Sequence, residues 1–226
     1  MLKISSLHPI LQGEGVNSGI PQFLIRLAGC PVHCRWCDSR YTWVGGREYS
    51  VESIALAASG FSWVCISGGE PLAQAESLGE LIRHPLVGGT HWEVETSGYL
   101  SPPSWFERVD TWAIDCKCPS SGVESKAIAE WLLAFQEHRQ QHGGDAIKFV
   151  VRNEQDLAFA LEHRAPFPQN ILSPVIWDIQ DFMGQVTIGR EQSEWNRRVA
   201  MFALEKDFRF SLQTHVVLWG MGRRDV

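Results

Sequence analysis

An α/β fold, an incomplete (β/α) barrel with a mostly parallel sheet, is predicted by three features of the chain. Strand-length apolar runs recur at residues 22–27, 62–67, 91–95, 111–114, 147–151, 171–176 and 209–213. Stretches with helical spacing separate several of them, and that alternation builds parallel sheets from βα units. The length of 226 residues falls short of the roughly 250 of a complete eight-fold barrel, so some strands or helices should be shortened or missing. A content of 44% hydrophobic and 11% aromatic residues suits one well-packed domain over residues 1–226 better than two small ones.

In chain order, the strand at 22–27 leads to a helix marked by Val51, Ile54, Ala55 and Leu56. The strand at 62–67 leads to one marked by Leu78, Leu81 and Ile82, and the next strand, 91–95, to a loop at Pro102-Pro103. After the strand at 111–114, Ile128, Trp131, Leu132 and Phe135 mark a third helix, closed by a loop at Gly143-Gly144. Leu157, Ala160 and Leu161 mark a fourth between the strands at 147–151 and 171–176. The strands read as near-continuous apolar runs, as expected where both sheet faces are covered. Parallel α/β folds place functional residues where strands end. Cys30, Gly68-Gly69-Glu70-Pro71, Thr96-Ser97-Gly98, Lys117 and His215 follow five of the runs, which sets them on one face.

The formal net charge of −6 is spread along the chain without a basic block, so nucleic acid is not an expected partner. No apolar stretch reaches the roughly 20 residues of a membrane span, and residues 1–11 lack the pattern of a secretory signal. A cytoplasmic protein is expected. In that compartment six cysteines point to metal or catalytic chemistry, not to disulfides. Cys30-Pro31-Val32-His33-Cys34-Arg35-Trp36-Cys37 is a C-x3-C-x2-C run on a loop. A closed zinc site or a fully ligated 4Fe-4S cluster needs a fourth ligand; His33 could complete the former. Three thiolates alone would leave one iron of a cubane open to a small molecule. Cys65, Cys116 and Cys118 read as packing, and the ten tryptophans as core and interface.

The cysteine run, with Trp36 before its last cysteine, together with Gly68-Gly69-Glu70-Pro71, resembles the radical S-adenosylmethionine superfamily. Leu11-Gln12-Gly13-Glu14-Gly15, Arg26, Glu95-Thr96-Ser97-Gly98, Asp115-Cys116-Lys117, Lys148-Phe149-Val150-Val151 and Leu212-Gln213-Thr214-His215 follow in an order similar to the 7-carboxy-7-deazaguanine synthases. That resemblance implies ring contraction of 6-carboxy-5,6,7,8-tetrahydropterin with loss of ammonia, on the route to queuosine. It implies a 4Fe-4S cluster on Cys30, Cys34 and Cys37, and S-adenosylmethionine held by Trp36, Cys37, Asp38, Gly69, Glu70, Gly98, Asp115, Cys116, Lys117 and Ser173. Leu11, Gln12, Gly13, Glu14, Arg26, Thr96 and His215 would meet the pterin, and Ser39 would bind Mg2+. A flavodoxin- or ferredoxin-type electron donor and a homodimer are further implications.

Without the resemblance, residues 11–14 read as a tight turn, Arg26 as a surface ion pair and Lys117 as a structural salt bridge. Three positions depart from the family pattern. Val216 and Ser173 stand where relatives commonly carry lysine and glutamine, and Ser39 stands where many carry threonine. Beyond His215, Arg223, Arg224 and the terminal carboxylate are rival substrate contacts. Competing readings are a glycyl-radical activating enzyme and a non-catalytic zinc or iron-sulfur module.

Overall fold

The computed structural model describes residues 1–139, 143–182 and 185–220. The first strand is one that the apolar pattern hides. β1 (Leu2–Leu11) lies between β2 (Pro21–Leu27) and β3 (Arg47–Tyr49) and runs antiparallel to both. Ser5, Ser6 and His8 interrupt its apolar alternation, and its register slips between Ile4 and Ser6.

From β2 a parallel series continues through β4 (Trp63–Gly68), β5 (His91–Thr96), β6 (Thr111–Asp115), β7 (Ala146–Val151) and β8 (Gln169–Pro174). A hairpin of β9 (Ile179–Phe182) and β10 (Gln185–Ile188) stands apart. β11 (Arg209–Phe210) then closes the series against β8. It is shorter than the run at 209–213: the bond from Ser211 N to Leu172 O is the last of the ladder, and the chain leaves the sheet after it. The nine-stranded order is β11-β8-β7-β6-β5-β4-β2-β1-β3. With β11 and β3 at opposite edges, the sheet curls without closing, so the incomplete, mostly parallel barrel is observed.

Four helices fall where the spacing places them. α1 (Val51–Ala58) begins at Ser50, whose hydroxyl accepts from Ser53 N at 3.1 Å, a standard helix cap. It buries Ile54, Ala55 and Ala58, whereas Leu56 points to solvent. α2 (Ala75–Ile82) buries Leu78, Leu81 and Ile82, and α3 (Ile128–His138) buries Trp131 and Phe135. α4 (Glu154–Glu162) buries Leu157 and Ala160 but leaves Leu161 exposed. The residue following each stripe is thus the error in both α1 and α4. α5 (Arg190–Lys206), which the apolar pattern did not mark, is mostly polar and packs through Val199, Phe202 and Ala203. α6 (Thr214–Trp219) ends the described chain.

The strands are not uniformly apolar. Side chains alternate across a strand, and here Trp92, Val94, Trp112, Ile114, Ile147 and Phe149 enter the outer core against the helices. Their neighbours Glu93, Glu95, Asp115 and Lys148 face the other way, into the barrel. The outer core includes an aromatic cluster of Trp105, Phe106, Trp112, Trp131 and Phe135, with ring centroids 4.9–6.0 Å apart. Its indole groups are satisfied: Trp112 Nε1 donates to Phe106 O at 2.9 Å and Trp131 Nε1 to Leu100 O at 2.8 Å.

Candidate active site

The cysteine loop leaves β2 at Gly29, whose N–H donates to Thr42 O at 2.7 Å and whose carbonyl accepts from Glu70 N at 2.9 Å. These bonds lay the Gly68-Gly69 turn directly on the loop's first residue. A Cβ on Gly69 would fall 2.1 Å from Gly29 O, so only glycine permits this approach. Farther along, Arg35 N donates to Ser121 O at 2.9 Å. Trp36 Nε1 donates to Ser120 Oγ at 3.0 Å, and Ser120 is held in turn by Asp156.

All six cysteines are free, and Cys30, Cys34 and Cys37 line one cavity of about 440 Å³. Burial pushes the Cys34 thiol up to about 11 and raises that of Cys30. Their protons therefore have to be displaced when iron binds. Among the described residues, no three His, Cys, Asp or Glu side chains converge tightly enough to hold a single metal ion. His33, the candidate zinc ligand, is exposed and stacks on Trp43 at 4.3 Å. The donor set on the cavity wall is thus three sulfurs without a fourth protein ligand, which fits a cluster with one open iron.

Across the same cavity lies a set of polar groups with spare bonding capacity. Arg26, on β2, keeps a buried Nε with no hydrogen-bond partner among the described residues. Asp115 Oδ2 pairs with Lys117 Nζ at 2.6 Å, while its Oδ1 is buried and unpartnered. Burial opposes the Lys117 charge, but Asp115 and then Cys34 outweigh it and hold its pKa above the ordinary lysine value. The ammonium also lies 5.7 Å from the Trp36 ring centroid. Both readings of Lys117 thus hold together, as ion pair and as cavity wall. At the mouth, Ser39 Oγ donates to Asp38 Oδ1 at 3.0 Å and Gln213 Nε2 to Asp38 Oδ2 at 3.3 Å. Crowding by the protein works against the Asp38 charge, yet the Ser39 bond and the fields of His215, Arg26 and Lys148 bring its pKa below the ordinary value.

The stretch after β1 closes the far side. Gln12 Nε2 donates to Glu95 Oε1 at 3.2 Å, and Glu14 Oε2 pairs with Lys148 Nζ at 3.2 Å. Gly13 O accepts from Thr214 N at 2.8 Å, and a Cβ on Gly13 would overlap the His215 ring, 2.1 Å from Nδ1. Gly13 therefore brings His215 against the same wall. Leu11, Thr96 and His215 line the cavity as well.

Residues 11–100 match the model of a 4Fe-4S single cluster domain. The 7-carboxy-7-deazaguanine synthase of Koribacter versatilis is 34% identical, over 96% of this chain and 97% of its own length. That of Pyrobaculum aerophilum is 32% identical over 98% and 96%, and that of Chlorobaculum tepidum 32% over 100% and 97%. The crystal structure of QueE from Escherichia coli superposes with a TM-score of 0.67 at 25% identity, covering 95% of this chain and 94% of that one. The chain belongs to the 7-carboxy-7-deazaguanine synthase family.

Of the residues that resemblance to the synthase family singles out, the cavity gathers all but four. Glu70 is fully buried: Leu72 N and Thr96 Oγ1 donate to its Oε1 at 3.1 and 2.6 Å, and Ser97 N and Oγ donate to its Oε2. With four donors its capacity is full, and it braces the ends of β4 and β5. Gly98 (φ +64°) also lies outside the cavity wall; its missing Cβ makes room for Ile114 Cγ2, not for a cofactor. Cys116 packs in the core, as does Cys118, but both lie beyond the end of β6 and so do not share a strand face. Ser173 is buried on β8 with an unpartnered hydroxyl, away from the cavity lining. Arg223, Arg224 and the terminal carboxylate lie outside the described residues.

Some cavity groups went unassigned from the sequence. Cys65 was read as core, yet it forms part of the cavity floor, where Gln12 Nε2 reaches its Sγ at 3.6 Å. Trp43 and Trp177 line the cavity although, Trp36 aside, the tryptophans read as core and interface. Lys148 and Glu95 carry no role of their own in the motifs that contain them. Their signal was available, since each is a charged residue at an alternating position of a parallel strand, where an uncovered charge is costly.

Proposed function

We propose that this chain converts 6-carboxy-5,6,7,8-tetrahydropterin to 7-carboxy-7-deazaguanine with loss of ammonia, in queuosine biosynthesis. What carries the reading is the meeting, in one cavity, of three thiols with a cation whose Nε is unpartnered and a run of acceptors. When bound, the cluster and S-adenosylmethionine supply the electron and the 5′-deoxyadenosyl radical that takes hydrogen from the pterin. The chain's own groups bind and orient. Arg26 is suited to the substrate carboxylate, because a guanidinium engages carboxylates in two parallel bonds. Gln12 and Glu14 offer acceptors to the donor edge of the pterin, and Thr96 keeps hydroxyl lone pairs free while donating to Glu70.

The S-adenosylmethionine ammonium would meet backbone acceptors at the Gly69 turn, with Trp36, Asp38, Asp115 and Lys117 around the rest of the cofactor. Ser39 and Asp38 present neighbouring oxygens at the mouth, a donor chemistry that suits Mg2+ with water and substrate completing its shell. The reading takes residues 1–226 as one domain acting in the cytoplasm as a homodimer, reduced by a flavodoxin- or ferredoxin-type donor. Among the described residues no helix is long and apolar enough to cross a membrane.

The test is anaerobic reconstitution followed by incubation with S-adenosylmethionine, reductant, Mg2+ and carboxytetrahydropterin. Formation of the deazaguanine is expected. Deoxyadenosine without deazaguanine would show the substrate to be wrong, and a colourless protein carrying one zinc would remove the radical chemistry altogether.

A further inference from the structure

Two carboxyls remain that the proposed chemistry does not use, Glu95 on the cavity wall and the fully buried Glu93. Glu93 and Glu95 alternate on β5 and so face the barrel interior together. Glu93 is fully buried; its Oε2 accepts from Gln22 Nε2 at 2.6 Å and from Asn17 Nδ2 at 3.2 Å. Among the described residues, neither its Oε1 nor Gln22 Oε1, both buried, has a partner. An acid and an amide that share one hydrogen bond, and each keep an orphaned acceptor, lack one donor. A proton on Glu93 supplies it.

Glu95 has the opposite surroundings. Ser67 Oγ donates to its Oε2 at 2.6 Å and Gln12 Nε2 to its Oε1 at 3.2 Å, which is what an ionised carboxylate requires. Two charges this close in a dry interior are unfavourable, so one site takes the proton. Burial, and then the Glu95 charge, push Glu93 up to about 7 against the donors Gln22, Asn17 and Gln12. The other titratable groups facing the pair are Cys65 on β4, itself raised by burial and by both carboxyls, with Arg26 on β2 and Lys148 on β7 as the cations.

A charged Glu95 can only accept. It therefore turns the NH2 of Gln12 inward and leaves the amide oxygen toward the Gly13–Glu14 stretch, where Glu14 N approaches at 3.4 Å. We propose that Glu95, which accepts from Ser67 Oγ and from Gln12 Nε2, is a positioning residue that fixes the Gln12 oxygen toward the ligand and so selects a ring edge rich in donors. Resting on the pterin reading above, this names the edge: the 2-amino and N3–H side. Glu14, held by Lys148, provides the second acceptor on that wall. A ring with a 2-oxo group would set oxygen against oxygen, a mismatch that hydrogen-bonding sites reject strongly.

The test uses the reconstituted holoenzyme with Glu95→Gln and Glu93→Gln. Steady-state kinetics with carboxytetrahydropterin are read beside competition by 6-carboxypterin and by 6-carboxylumazine. Glu95→Gln should raise KM about tenfold or more, with kcat within about threefold, because one fixed hydrogen bond is lost in binding. The preference for pterin over lumazine should collapse to within about threefold. Glu93→Gln, which keeps a neutral group of the same shape, should leave both within about twofold of wild type. Substrate-free deoxyadenosine formation confirms that each variant is folded and loaded. An unchanged KM and preference in Glu95→Gln overturns the proposal, and so does an equal loss in Glu93→Gln. If the unaltered enzyme makes no deazaguanine yet shows a Glu95-dependent pterin preference, the reaction assignment fails and this inference stands.

Discussion

The two faces of the same strands do different work. Outside, Trp112 and Phe149 pack into an aromatic and aliphatic core with their polar atoms satisfied. Inside, at alternating positions of the same strands, Asp115 and Lys148 sit in a cavity whose wall still carries buried atoms unpartnered among the described residues. An interior that only stabilised the fold would be filled with branched apolar side chains in layers. This one keeps charged groups with spare bonding capacity, so outer-face substitutions should act on stability and inner-face ones on function.

The sharpest separation should come from Cys34→Ala. Removing one sulfur donor should abolish cluster retention and reduce turnover to background, read by the visible absorbance of the anaerobically reconstituted protein and by product formation. The fold should survive, with a loss of about 1 kcal/mol for one small buried atom. Activity that persisted would mean that these thiols are not cluster ligands. The converse change is Trp112→Ala. It empties the centre of the outer cluster and removes the bond to Phe106 O, and should cost about 3–5 kcal/mol in denaturant unfolding. At low temperature the folded fraction should keep its KM; a large KM change would mean that the two faces are mechanically coupled.

Arg26→Ala tests the inner face in the same way. Loss of the cation should raise KM for the carboxylated substrate about a hundredfold, some 2–3 kcal/mol. Because its Nε has no partner among the described residues, the apparent melting temperature should stay level or rise. A destabilised variant with unchanged KM would assign Arg26 to the fold instead.

The same division explains what was legible in the sequence. The parallel strands and four helices were readable because the outer face follows regular apolar spacing, and the cysteine loop because three close cysteines have few uses. β1 was missed where Ser5, Ser6 and His8 break the alternation, and α5 because so polar a helix shows little apolar stripe. At the site, Arg26, Gly13 and Lys117 carried chemistry in their residue type. Glu70 was harder to place, since a carboxylate beside two glycines reads equally as a ligand group or a brace, and its four donors, which add the brace, come partly from β5. The charge states of Glu93 and Glu95, as distinct from their inward position, were beyond reach for a related reason: the partners that set them, Gln12, Asn17, Gln22 and Ser67, come from other elements.

The smallest effect should come from that buried pair, and its sign is fixed. Glu93 is raised from an ordinary value of 4.5 to about 7 by burial and by the Glu95 charge. Between those values the folded protein holds more protons than the unfolded chain. Its contribution is therefore fully present below pH 4.5 and is lost as pH rises toward 7, so this group makes stability fall with pH across the window. Glu93→Gln cannot lose a proton. Set against wild type, it should flatten that part of the pH profile and unfold at higher denaturant near pH 8, by about 1–2 kcal/mol. Outer-face variants such as Trp112→Ala should shift the whole profile down without changing its shape. If Glu93→Gln instead ran parallel to wild type from pH 4.5 to 8, the barrel interior would hold no buried proton and its two carboxyls would both be charged.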